Sequence, residues 1–116
     1  MKVLVVDDSM VARSQIKKAI LEVAPDAEFD EAYTALSGVA KIKMADHYDL
    51  ITIDFNMPGG TGDLVVVKAK ESFPDAKVAL ITANKQSSMK TKADEWGVTM
   101  IEKPHFQEPL QAFTKS

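Results

Sequence analysis

Asp7 and Asp8 close the apolar run KVLVV, Asp54 follows LITI, Thr82 follows KVALI, and Lys103 stands just past VTMI. Three carboxylates brought to one place would repel one another and resist ionisation unless a cation lay between them. Oxygen donors without His or Cys select a hard ion such as Mg²⁺, which keeps several waters and takes one or two carboxylates plus phosphate oxygens. The set therefore suits a cation held together with a phosphoryl group, with Asp54 as the candidate nucleophile. A loose phosphoryl-transfer transition state needs its equatorial oxygens stabilised, and the Lys103 ammonium and Thr82 hydroxyl are chemically suited to that. The product would be an aspartyl phosphate. Each residue also has a plainer reading: Asp7 and Asp8 as helix caps, Asp54 as a turn acid, Thr82 as a strand-end hydroxyl, Lys103 as a solvated charge. Their joint placement at four strand ends favours the shared site.

The elements that must position these residues are legible as alternating patterns. Lys2 to Val6 predicts a central strand, buried on both faces. Ser9 caps a helix carried by Val11, Ala12, Ile16, Ala19, Ile20 and Val23, which Pro25 stops. Ala27 to Glu31, with three acids, suits an edge strand. Thr34 opens a second helix with Leu36, Val39, Ala40, Ile42 and Met44 as its apolar members, and Leu50 to Ile53 is the third strand. FNMPGGTG, residues 55 to 62, holds three Gly and one Pro and predicts a loop. A third helix starts at Asp63, carries Leu64, Val65, Val67 and Ala69, and stops near Phe73 and Pro74. Lys77 to Ile81 is the fourth strand, Asn84 to Thr91 a loop or exposed helix, and Val98 to Ile101 the fifth strand. Phe106, Leu110 and Phe113 pack a short last helix, with Pro109 in its first turn. Five strands alternating with helices predict right-handed crossovers and a parallel sheet covered on both faces, with the polar site beyond the strands' carboxyl ends.

Composition narrows the classes. One domain is expected at 116 residues, with 46% hydrophobic and 27% charged residues. The 14 Lys and Arg are dispersed in a chain of net charge −3, which argues against direct nucleic-acid binding. There is no Cys, so neither a disulfide nor a thiolate metal site can form, and His47 and His105 lack ligand-spaced partners. Val3 to Val6 is too short for a signal peptide's apolar region and no span is long enough for a membrane helix, so a cytoplasmic protein is expected.

VLVVDDS, DFNMPGGTG, LITA and EKP, in that order, resemble the receiver domain of two-component response regulators, and the likeness runs from Lys2 to Phe113. The resemblance implies a doubly wound, flavodoxin-like and CheY-like α/β fold, a five-stranded parallel sheet in strand order 2-1-3-4-5, as one domain over residues 1–116. It implies that Asp54 accepts a phosphoryl group from a histidine kinase or phosphotransfer protein, with Mg²⁺ as cofactor. Asp8 and Asp54 would ligate the ion directly, Asp7 through water, and Asn56 through its backbone carbonyl. Lys103 would contact the phosphoryl group, Thr82 would move toward it on activation, and the Lys103–Pro104 bond would be cis. Output is implied at the face formed by the fourth helix, fifth strand and fifth helix, through a downstream protein or a phosphorylation-linked homodimer, with no nucleic acid or membrane contact.

Three residues before Lys103 the family commonly has Tyr or Phe as a rotamer switch, and this chain has Met100. Met fills alternative gaps readily, so Met100 repacking or the loop after Thr82 is the expected relay. Asn56 and Asn84 occupy positions that tend to tune water access to the acyl phosphate, and amides there imply a short-lived phosphoryl state. Trp96 is either an anchor on the output face or core. Two other function classes share part of the pattern. A small Mg²⁺-dependent phosphohydrolase with an Asp nucleophile usually wants an acid where Asn56 stands. A receiver-like module independent of phosphorylation would typically have lost an acid, the Lys or the Thr, and all are present.

Overall fold

The computed structural model describes residues 1–57, 60–83 and 87–116. Along the chain these form β1 (Lys2–Val6), α1 (Met10–Val23), β2 (Glu28–Ala32), α2 (Ala35–Met44), β3 (Leu50–Ile53), β4 (Asn56–Met57) and β5 (Gly60–Thr61). There follow α3 (Gly62–Ser72), β6 (Lys77–Thr82), α4 (Ser87–Trp96), β7 (Thr99–Glu102) and α5 (Gln107–Lys115). The main sheet is all parallel in the order β2-β1-β3-β6-β7, the 2-1-3-4-5 order that the receiver resemblance implies. Among the described residues no helix is long and apolar enough to cross a membrane.

Side chains along β1 alternate between two cores, as the two-residue period of a strand requires. Val3 and Val5 join Ile16, Ala19 and Ile20 of α1 and Leu110 of α5 on one face. Leu4 and Val6 join Ile42 of α2, Val65, Val66 and Ala69 of α3, and Met89 and Ala93 of α4 on the other. Each fully buried Leu, Ile or Val contributes about 1.5–3 kcal/mol relative to exposure, so β1 from Val3 onward and all of β3 form the rigid frame. β2 lies at the sheet edge, as its acids imply, and is only partly buried before Ala32.

Local signals set the helix ends. Ser9 Oγ accepts from the Ala12 N–H at 3.2 Å, and Thr34 and Ser37 form a reciprocal capping box. Gly97 has φ of 69°, the left-handed conformation that ends α4 and lets the Val98 N–H reach the Ala93 carbonyl at 3.0 Å.

Several boundaries and faces differ from the sequence-based expectation. The Gly-rich segment after Phe55 carries a short antiparallel pairing, Asn56 with Thr61 and Met57 with Gly60, and α3 starts at Gly62. The stretch from Ser87 is helix and buries Met89 and Ala93, while 84–86 lie outside the described residues. Val11, Leu36, Met44, Leu64 and Val67, expected as apolar helix positions, are exposed, and Val66 is buried instead. Leu36 and Leu64 lie one residue, about 100° of helix, from the positions Ala35 and Val65 that face the sheet.

Candidate functional site

The parallel ladder continues past the strand ends and fixes the polar residues there. Asp54 N–H donates to the Val6 carbonyl at 2.8 Å, Asp7 N–H to that of Ala32 at 3.0 Å, and Lys103 N–H to that of Thr82 at 2.9 Å. With Val6 opposite Ile53 and Leu80 also opposite Ile53, the next residues of β1 and β3 must emerge side by side. Asp7, Asp8 and Asp54 each offer a carboxylate oxygen, and these oxygens lie within 4.8 Å of one another. Asp7 and Asp54 are buried while Asp8 is exposed, so the cluster has one open side.

Lys103 reaches across from the end of β7. Its Nζ lies 2.9 Å from Asp7 Oδ2 and 3.5 Å from Asp54 Oδ2. Burial pushes its ammonium pKa down, but the hydrogen bond to Asp7 and the negative charges of Asp54 and Asp7 outweigh burial and hold it above the ordinary lysine value. Lys103 therefore stays charged beside the acids. Thr82 ends β6, fully buried, and the Lys103–Pro104 peptide bond is cis.

The donor set fits a divalent cation. All three acids supply oxygen, the ligand a hard ion prefers, and the Lys103 ammonium offsets part of their crowding. Asp7 is already committed: Oδ1 accepts from the Ser9 N–H at 2.9 Å and Oδ2 from Lys103 at 2.9 Å.

Asn56 opens β4, two residues past Asp54, while Asn84 lies outside the described residues. Met100 is half-buried against the core shared by α2, α3 and α4, and borders an open cavity with Lys90, Asp94, His105 and Pro109. Trp96 packs partly into that core, with its ring 6.2 Å from that of Phe55. His47 and His105 are exposed. Sequence reasoning missed Arg13, whose Nη1 donates to the Asp7 carbonyl at 2.8 Å. A signal existed, because Arg13 stands three residues before Ile16 in the apolar stripe of α1.

The comparisons with known proteins agree with this fold. The family model described as response regulator receiver domain matches residues 3–114. The chemotaxis protein CheY of Listeria monocytogenes is 32% identical over 114 residues, covering 97% of this chain and 89% of that protein. Among solved structures, chemotaxis protein CheY4 of Vibrio cholerae superposes with a TM-score of 0.82 at 26% identity, covering 98% of this chain and 95% of that one. A CheY-like receiver domain protein from Methanospirillum hungatei gives a TM-score of 0.86 at 24% identity, covering 98% and 90%. With its motifs at the strand ends of this sheet, the chain belongs to the response regulator receiver domain family of two-component signalling proteins.

Proposed function

We propose that the chain is a phosphorylation-dependent signalling switch in which Asp54 accepts a phosphoryl group from a histidine kinase or phosphotransfer protein. The observation that carries this reading is the convergence of Asp7, Asp8 and Asp54 within 4.8 Å, with Lys103 Nζ 3.5 Å from the Asp54 carboxylate. Asp8, Asp54 and the Asn56 carbonyl would hold Mg²⁺, with Asp7 contributing through water. The ion, when bound, supplies positive charge to the phosphoryl oxygens.

The chain's own residues do the rest. A carboxylate oxygen of Asp54 bonds to phosphorus as the donor's phosphorus–nitrogen bond breaks, with the electron pair leaving on the donor imidazole. Lys103 exchanges part of its pairing with the acids for the incoming oxygens, and the Thr82 hydroxyl donates to another. Movement of Thr82, relayed by Met100 on the adjoining strand β7, then changes the α4–β7–α5 face that a downstream protein reads.

Incubating the protein with Mg²⁺ and acetyl phosphate, followed by intact-mass measurement over time, tests this. A phosphoryl adduct is expected on the wild type and none on Asp54→Asn, with the adduct decaying well before many hours. Turnover of acetyl phosphate without an adduct would mark a phosphohydrolase. No reaction at all would mark a module that works without phosphorylation.

A further inference from the structure

Arg13 is a cation inside an otherwise apolar helix stripe, and its side chain is only 11% exposed. A guanidinium is costly to bury unless its charge and its N–H donors are met, so its partners are informative. Nη1 donates to the Asp7 main-chain carbonyl at 2.8 Å and Nε to Glu31 Oε1 at 3.0 Å. Lys17 Nζ holds the other oxygen, Glu31 Oε2, at 3.0 Å. The Lys17 hydrogen bond outweighs the opposing effect of burial, and with Arg13 it keeps Glu31 below the ordinary carboxylate range, so the fork is anchored on a charged acid. The guanidinium also lies 5.3 Å from the centroid of the Tyr33 ring.

The Asp7 carbonyl belongs to the peptide that joins Asp7 to Asp8. A peptide unit is planar, so fixing its oxygen fixes the direction in which the next Cα and its side chain leave. The Asp7 side chain has its own anchors in Ser9 and Lys103. Asp8 is exposed and takes its direction from the backbone. We propose that Arg13 is a positioning residue for cation binding: clamped by Glu31, it holds the Asp7–Asp8 peptide in the orientation that delivers the Asp8 carboxylate to Asp54. This rests on the reading of the acid cluster as a Mg²⁺ site.

The sign of the effect separates positioning from simple electrostatics. If Arg13 acted as a nearby positive charge, its removal would tighten Mg²⁺ binding; if it positions Asp8, its removal weakens binding. Calorimetric titration with Mg²⁺ should show about 10-fold weaker binding or more for Arg13→Met, the loss expected when a group that orients a metal ligand is removed. Arg13→Lys, which keeps the charge but loses the fork, should fall between the two. Phosphoryl uptake from acetyl phosphate should need correspondingly more Mg²⁺, with most of the rate restored at saturation. Without Mg²⁺, the amide resonances of Asp8 and Ser9 should already shift in both variants. Mg²⁺ affinity in folded Arg13→Met within twofold of wild type, or tighter, overturns the proposal. If Arg13→Met does not fold, Arg13→Lys and Glu31→Gln decide, and unchanged affinity in both overturns it. A wild type that binds no Mg²⁺ brings down the underlying reading of the site as well, and is distinguishable for that reason.

Discussion

At the scale of single residues, position in the sheet decides what a polar group costs. Asp7 and Asp54 are buried, yet each lies at a strand end where the Lys103 ammonium offsets its charge. Thr52 stands in mid-strand on β3, and its hydroxyl is buried with no hydrogen-bond partner among the described residues. Thr52 pairs in register with Val5 and Ala79, which belong to the apolar core against α1 and α5. An unpaired buried hydroxyl is a desolvation cost without return, so Thr52→Val should stabilise the fold by about 1 kcal/mol. Urea denaturation checks this as a raised midpoint at unchanged slope. A loss of stability instead would mean that the hydroxyl has a partner in solution.

At the scale of elements, the start of α3 packs closely on the end of β3 at Gly62. A methyl group built on Gly62 would lie 3.1 Å from the Ile53 side chain, 3.1 Å from Phe55 Cα and 3.2 Å from the Asp54 carbonyl oxygen. Two of these are backbone atoms, which cannot rotate aside. Gly62→Ala should therefore destabilise by about 1–3 kcal/mol, the range for overpacking, and slow phosphoryl uptake by displacing Asp54. Urea denaturation and the initial rate with acetyl phosphate measure the two effects. Uptake at the wild-type rate in a folded variant would show that the close approach does not place Asp54. Gly38 is tight in a different way, since a methyl group there would meet side-chain methyls of Val6 and Val65 at 3.3–3.4 Å, which have some freedom to give.

At the scale of the whole molecule, the acid cluster and the face proposed for output are joined by β6 and β7. Thr82 pairs with Glu102 and Leu80 with Met100, so movement at the end of β6 bears directly on the strand that carries Met100. Met100 is half-buried between the core and the open cavity beside α4, which leaves its flexible side chain two places to pack. Met100→Ala should preserve phosphoryl uptake while reducing the phosphorylation-induced amide shifts along α4, β7 and α5. Full-sized shifts in that variant would place the relay elsewhere. Trp96, at the end of α4, packs toward Phe55 and is partly buried against the core.

The order of elements was readable because strand and helix periods are local properties of sequence, and the polar residues at the strand ends were readable because they stand where those periods break. Ser9, Thr34 and Gly97 act where they stand in the chain. What tertiary structure decided depends on partners distant in sequence. Lys103 and Asp7, separated by 96 positions, meet because parallel register brings the ends of β1, β3, β6 and β7 to one edge. The burial of Val66 and the exposure of Leu36 follow from how each helix is rotated on the sheet, a phase that several apolar neighbours leave open. Arg13 became visible for the same reason: its role lies in an Asp7 carbonyl at the end of one strand and a Glu31 carboxylate on another. The sequence by itself determined which chemical groups this edge would carry, and the fold decided which of them hold one another, because contact between strand ends is a property of register and packing.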